Sequence, residues 1–184
     1  WTFVITTGGA PSNGVGDSCD LCGQYLDSSL TLTSDWVCGF DNQFAVWAID
    51  DDITINCDGH SITGAGFYEQ EAFIIVEQEE VTIKNCVIQD FAVGIYAEDS
   101  DDLLIKDNTI VENWAGGIYF DNVDDSMIRG GEIAENNYAY ELAGIYLEDS
   151  DDNTIRNVYM HENTMGAINV FYSDGNVIEN NNIN

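Results

Sequence analysis

Short runs in which apolar and polar residues alternate recur along the chain, and each follows an acidic or turn-forming pair. They read Asp51-Asp52-Ile53-Thr54-Ile55, Glu79-Glu80-Val81-Thr82-Ile83, Asp101-Asp102-Leu103-Leu104-Ile105, Asp124-Asp125-Ser126-Met127-Ile128, Asp151-Asp152-Asn153-Thr154-Ile155 and Asp174-Gly175-Asn176-Val177-Ile178. Period-two alternation predicts strands with one buried face. Successive runs begin 28, 22, 23, 27 and 23 residues apart, and self-similarity at such a period is the signature of a solenoid. The two longer steps predict loop insertions around Gly64–Glu71 and Tyr138–Leu142.

Alignment on the shared isoleucine (Ile55, Ile83, Ile105, Ile128, Ile155, Ile178) exposes two further apolar columns. Five residues later stand Ile88, Ile110, Ile133, Met160 and Ile183, and ten residues earlier Phe73, Ile95, Ile118, Ile145 and Ile168. Three in-register strands per repeat predict an all-β, single-stranded right-handed parallel β-helix. Three parallel sheets then wind around one core in coils of about 23 residues. A helical solenoid is disfavoured, because the segments are short, β-rich and broken by Gly, Asn and Asp. Asn113, Asn136 and Asn163 also align, predicting an asparagine ladder in which each amide bonds to the next coil. The solenoid is assigned to residues 22–184. Residues 1–21 are assigned to an apolar strand (Trp1–Thr7) and a Gly/Ser-rich linker, open to exchange between subunits.

The opening coils carry a resemblance. Cys22-Gly23, Leu30-Thr31-Leu32-Thr33, Cys38 and the run from Ile53 through Cys57-Asp58-Gly59-His60-Ser61 to Gly64 are similar to the first coils of extracellular NosD-like, CASH-type (carbohydrate-binding and sugar hydrolase) β-helix repeat proteins. The likeness runs over residues 22–184 and implies the fold. It assigns no activity, because this fold hosts lyases, hydrolases, adhesins and structural proteins alike.

Charge changes the picture most. Against 34 Asp and Glu stand 4 Lys and Arg, a formal net charge of −30. Such a field disfavours nucleic acid, anionic membrane surfaces and polyanionic substrates, and it attracts cations. No membrane-inserting run is visible. The five cysteines, Cys19, Cys22, Cys38, Cys57 and Cys86, lie in the first half. Cys19 and Cys22 form a CxxC that no second pair or His pair completes into a zinc site. Disulfides are the better reading, which implies an oxidising, extracellular or cell-surface setting.

Stacking about 4.8 Å apart turns each repeat position into a column on the surface. All four basic residues, Lys84, Lys106, Arg129 and Arg156, occupy one position, and Asp90, Glu112, Glu135 and Glu162 another. A base repeated on every coil suits a charge ladder better than a catalytic group. The loops before the aligned strands are denser in acid: Glu98, Asp99, Asp101 and Asp102; Asp121, Asp124 and Asp125; Glu148, Asp149, Asp151 and Asp152. Oxygen-rich columns of this kind are candidate cation sites, with Ca2+ favoured by hard ligands, set against a simple solvated face. Tyr96, Tyr119 and Tyr146 follow inward isoleucines and predict an outward aromatic ladder, which either supports strand pairing or stacks on sugars. His60 and His161 read as structural.

Catalysis is disfavoured, since glycoside hydrolases need two specific carboxylates and here acid pairs recur on every coil. The apolar columns continue to Ile178 and Ile183 without a capping helix, and open coil ends template association. The expectation is therefore an extracellular structural or surface-assembly protein, cation-stabilised and polymerising head to tail. Trp1, Phe3 and Ile5 would meet Ile178 and Ile183 of a neighbour. The alternative is a carbohydrate-binding or polysaccharide-degrading β-helix that uses the tyrosine face, with glycans as partners.

Overall fold

The computed structural model describes residues 22–66, 70–136 and 142–184. It is a parallel β-solenoid in which every coil contributes one strand to each of three sheets, and each sheet has seven strands among the described residues. The first sheet runs through Gln24–Leu26, Phe44–Ala48, Glu71–Val76, Val93–Asp101, Gly116–Asp124, Ile145–Glu148 and Ile168–Phe171. The second carries the aligned isoleucines and the third the column five residues on. All pairings are parallel, and each of the three predicted apolar columns is in register (Ile83 with Ile105 and Ile128; Ile88 with Ile110 and Ile133; Phe73 with Ile95 and Ile118). The expectations for residues 1–21, and with them Trp1, Phe3, Ile5 and Cys19, lie outside the described residues.

Inward side chains fill the tube: Phe73, Phe91, Phe120 and the isoleucine columns are essentially inaccessible to solvent. Parallel strands cannot turn a corner and keep every backbone group paired, so the corners decide whether the coil closes. Here side chains pair the corner groups across coils. Asn113 Nδ2 donates to Asn136 Oδ1 at 2.9 Å, and Asn136 Nδ2 to Asn163 Oδ1 at 3.0 Å. The same amides donate back to the carbonyls of Ile88, Ile110 and Ile133. The asparagine ladder read from the sequence is therefore present.

Two further corners carry rungs that the sequence reading did not isolate. Asn108 accepts from the Cys86 N–H and donates to the Ile83 carbonyl, and Asn181 repeats this with Val158 and Ile155. Ser126, Asn153 and Asn176 accept in turn from the N–H groups of Leu103, Ser126 and Asn153. Near the start of the solenoid two disulfides add covalent bonds: Cys22–Cys38 ties the two ends of the first coil together, and Cys57–Cys86 joins two successive coils. Cys86 stands where later coils place a polar rung, so the second bridge reinforces that corner.

Glycine is required where the asparagine ladder meets the first sheet. A Cβ on Gly117 would lie 2.6 Å from the Gly144 carbonyl oxygen and 2.9 Å from Ile133 Cγ2. Gly94 is crowded in the same way by Ile110 and the Gly117 carbonyl. Small residues at this corner let the coils approach, and they leave room outside it.

Replacing Asn136 with Ala removes a buried amide serving both neighbouring coils and strands donors and acceptors at about 1–3 kcal/mol each. We expect Asn136→Ala to lower unfolding free energy by roughly 3 kcal/mol in urea titration. A loss under about 0.5 kcal/mol would contradict the role given to this ladder.

Candidate functional site

The acidic pairs before the second-sheet strands answer to backbone geometry. The first acid in four of these pairs accepts an N–H from the following coil: Asp51 from Glu79 at 2.8 Å, Asp101 from Asp124 at 3.3 Å, Asp124 from Asp151 and Asp151 from Asp174, both at 2.6 Å. The second acid adopts left-handed backbone, with φ from 52° to 58° at Asp52, Glu80, Asp102, Asp125 and Asp152. Asp99 and Asp149, together with Glu112, Glu135 and Glu162, occupy the same conformation at other turns. Asp and Asn tolerate that region better than most residues. The calcium expectation finds no ligand set: among the described residues no group of three or more His, Cys, Asp or Glu is arranged to hold a metal ion. Glu98, Asp121 and Glu148 instead lie in one row on the first sheet.

The basic column is where the sequence placed it, with Lys106 beside Lys84 and Arg129, and Arg129 beside Arg156, on the second sheet. Lys106 Nζ lies 3.4 Å from Asp107, an exposed pair of small energetic worth. His161 Nε2 meets Glu132 at 2.9 Å and His60 Nδ1 meets Asp35 at 3.3 Å. The Ser61 backbone N–H and then His60 hold the Asp35 carboxyl below the usual range. Both histidines thus tie coils together.

The outer face of the first sheet is different in kind. Tyr96, Tyr119 and Tyr146 pair in register and their rings lie 5.5 and 5.3 Å apart. The Tyr96 hydroxyl donates to Glu98 Oε2 at 2.8 Å and that of Tyr119 to Glu148 Oε2 at 2.9 Å. Partial burial, then these carboxylate partners, push both phenols well above their usual range, so the rings are held neutral. Beside them is a concavity of about 330 Å3. Tyr96 and Tyr119 line it with Glu71, Val93, Leu142 and the small side chains of Ala92 and Ala115. Glu71 and Leu142 are the last residues of the two sequence insertions. Burial raises the Glu71 carboxyl above the ordinary carboxylate value. Burial first, and then Glu148 and Glu98, raise that of Asp121.

Sequence reasoning found the tyrosines but missed Glu71 and Trp47. Trp47 lies outward in the same column, level with Ile74 and two strands from Tyr96. Val46 precedes its aligned isoleucine by nine residues, whereas Phe73 and the later members do so by ten. Fixed-offset alignment therefore slips by one at that coil. The readable signal was the alternation within Phe44-Ala45-Val46-Trp47-Ala48.

The fold and its laddered corners define a parallel β-solenoid of about seven coils. The family described as periplasmic copper-binding protein (NosD) matches residues 39–184, and the chain belongs to that family. Among solved structures, one described as a "putative glycosyl hydrolase" from Parabacteroides merdae ATCC 43184 aligns with a TM-score of 0.65 at 10% identity. The match covers 85% of this chain and 80% of that chain, and at this identity the likeness is one of fold. No curated protein matches. For the copper of the family description, no group of three or more His, Cys, Asp or Glu among the described residues is arranged to hold a metal ion. Copper favours imidazole and sulfur ligands, yet the two histidines are engaged with separate carboxylates and the four described cysteines are disulfides. A periplasmic family and two disulfides agree on an oxidising compartment outside the cytoplasm.

Asp121 and Glu71 hold protons more tightly folded than unfolded, so their ionisation opposes folding. The stability they contribute is full below the ordinary carboxylate range and is lost as pH rises through their raised folded values. Asp121→Asn should therefore raise Tm near neutral pH in low salt, by about 2 °C at most for a half-buried group still screened by water. Thermal melts at progressively lower pH should show the difference closing as the wild-type carboxyl takes up its proton. A variant less stable at neutral pH would contradict this account.

Proposed function

We infer that the protein is an extracellular or cell-surface glycan-binding solenoid that acts without catalysis. The observation that carries this is the concavity of about 330 Å3 walled by the Tyr96 and Tyr119 rings, with Glu71 in its lining. Its size falls in the range of small-ligand sites. Sugar binding calls for apolar ring faces against C–H surfaces and polar groups for hydroxyls, and this site presents both. The tyrosines are held by Glu98 and Glu148, so little ordering is left for a ligand to impose. Hydrolysis would need two carboxyls facing each other across the bound sugar, whereas Glu71 is the one carboxyl among the described residues lining the concavity. In a glycan-array measurement we expect Tyr119→Ala to weaken retained ligands about tenfold or more. Undiminished binding by that variant would remove the site from this role, and polysaccharide turnover by the wild type would remove the non-catalytic assignment.

A further inference from the structure

Tyr96 and Tyr119 are two members of a longer row. In-register pairing sets Tyr25, Trp47, Ile74, Tyr96, Tyr119 and Tyr146 side by side on six consecutive strands of the first sheet. Tyr25 and Trp47 are in ring contact at 5.6 Å, and Phe171 stacks on Tyr146 at 5.3 Å with planes 21° apart. Six strands span about 24 Å, at about 4.8 Å per step. The row runs along the solenoid axis, much further than the concavity at Tyr96 and Tyr119 alone. A compact ligand would use one part of it. A linear polymer lying along the axis would use all of it, and the strand spacing is close to the rise of one pyranose unit in an extended chain.

The flanks decide which polymer. Glu98, Asp121 and Glu148 form a parallel row on one side of the rings, and Glu71 lies on the other. Every Lys and Arg of the chain stands in the second sheet, so this face carries no cation from them. A groove of one sign repels uronate or sulfated sugars and favours an ammonium group. An ammonium also gains from aromatic faces.

We propose that the first sheet is a track for a linear glycan of amino sugars, laid parallel to the solenoid axis along Trp47, Tyr96, Tyr119 and Tyr146 with its ammonium groups toward Glu98, Asp121 and Glu148. The proposal rests on the glycan-binding reading and adds length, direction and charge to it. Calorimetry on the full chain with glucosamine oligomers of two, four and six units, the N-acetylated hexamer and a galacturonic acid hexamer tests it. Affinity should climb at least ~10-fold from dimer to hexamer as further subsites engage. Tyr146→Ala and Trp47→Ala should each cost the hexamer about 5-fold or more and leave the dimer nearly unchanged. Should either variant fold poorly by circular dichroism, Glu148→Gln keeps an acceptor for the Tyr119 hydroxyl. It should weaken the glucosamine hexamer while sparing the N-acetylated one. A hexamer bound no tighter than the dimer would overturn the axial track. Equal affinity for the N-acetylated hexamer, or any preference for the galacturonic hexamer, would overturn the amino-sugar assignment. Tyr119-dependent binding of other glycans with none of glucosamine oligomers would overturn the proposal and leave the glycan site standing. Failure of every glycan on the array would remove both.

Discussion

The hydrogen bonds that cross from coil to coil at the corners are what the rest of this structure depends on. A flat parallel strand pairs its backbone with its neighbours without help, but each coil must bend three times to close. At each bend, N–H and C=O groups turn inward, away from water. Unpaired, each would cost more than a buried methyl group returns. Asn113, Asn136 and Asn163 at one corner, Asn108 and Asn181 at another, and Ser126, Asn153 and Asn176 at the third pair these groups with the next coil. Because each rung reaches only the adjacent coil, stability is passed from neighbour to neighbour along the tube. Of the two disulfides, Cys57–Cys86 adds a covalent rung in the same direction and Cys22–Cys38 closes the first coil on itself.

Register follows from these rungs, and surface chemistry follows from register. Once corner residues repeat, every outward position between them repeats too, so each face becomes a set of chemically uniform rows. The second sheet gathers all the cations into one row. The first gathers aromatic rings beside acids. A solenoid can therefore present an extended, one-dimensional site without long loops. Its length is set by the number of coils and its chemistry by one residue per coil.

This periodicity also decides what the sequence could disclose. The isoleucine columns and the Asn113, Asn136, Asn163 ladder were legible because the same residue recurs at a constant offset. The Asn108 corner was not, since its column reads Cys86, Asn108, Gly131, Val158 and Asn181. Only two of those five are amides, and Gly131 fits there with φ of 79° because a Cβ would strike the Asn108 backbone. Trp47 escaped because its coil is one residue shorter between sheets. The acid pairs were legible as columns but not as turns: spacing reveals that carboxylates stack, whereas only the backbone shows that the first acid caps the next coil and the second sits at positive φ.

The corners explain where the acids stand without explaining that they are acids. Among the described residues, fourteen of the nineteen non-glycine positions with positive φ are Asp or Glu. Asn suits that conformation as well as Asp does, and it is used at Asn85, Asn122, Asn157 and Asn180. Glu, at Glu77, Glu80, Glu112, Glu135 and Glu162, has no such preference to account for it. Glu80 even has its carboxyl raised by the hydrogen bond and charge of Asp52 beside it, an unfavourable arrangement that a neutral residue would relieve. The negative charge is thus a property added to the fold, at some expense to its stability. Rows of like charge hold the sides of two solenoids apart. The same field draws cations toward a face whose rings are otherwise neutral, and that bias is what separates an ammonium-bearing ligand from an acidic one on the first sheet.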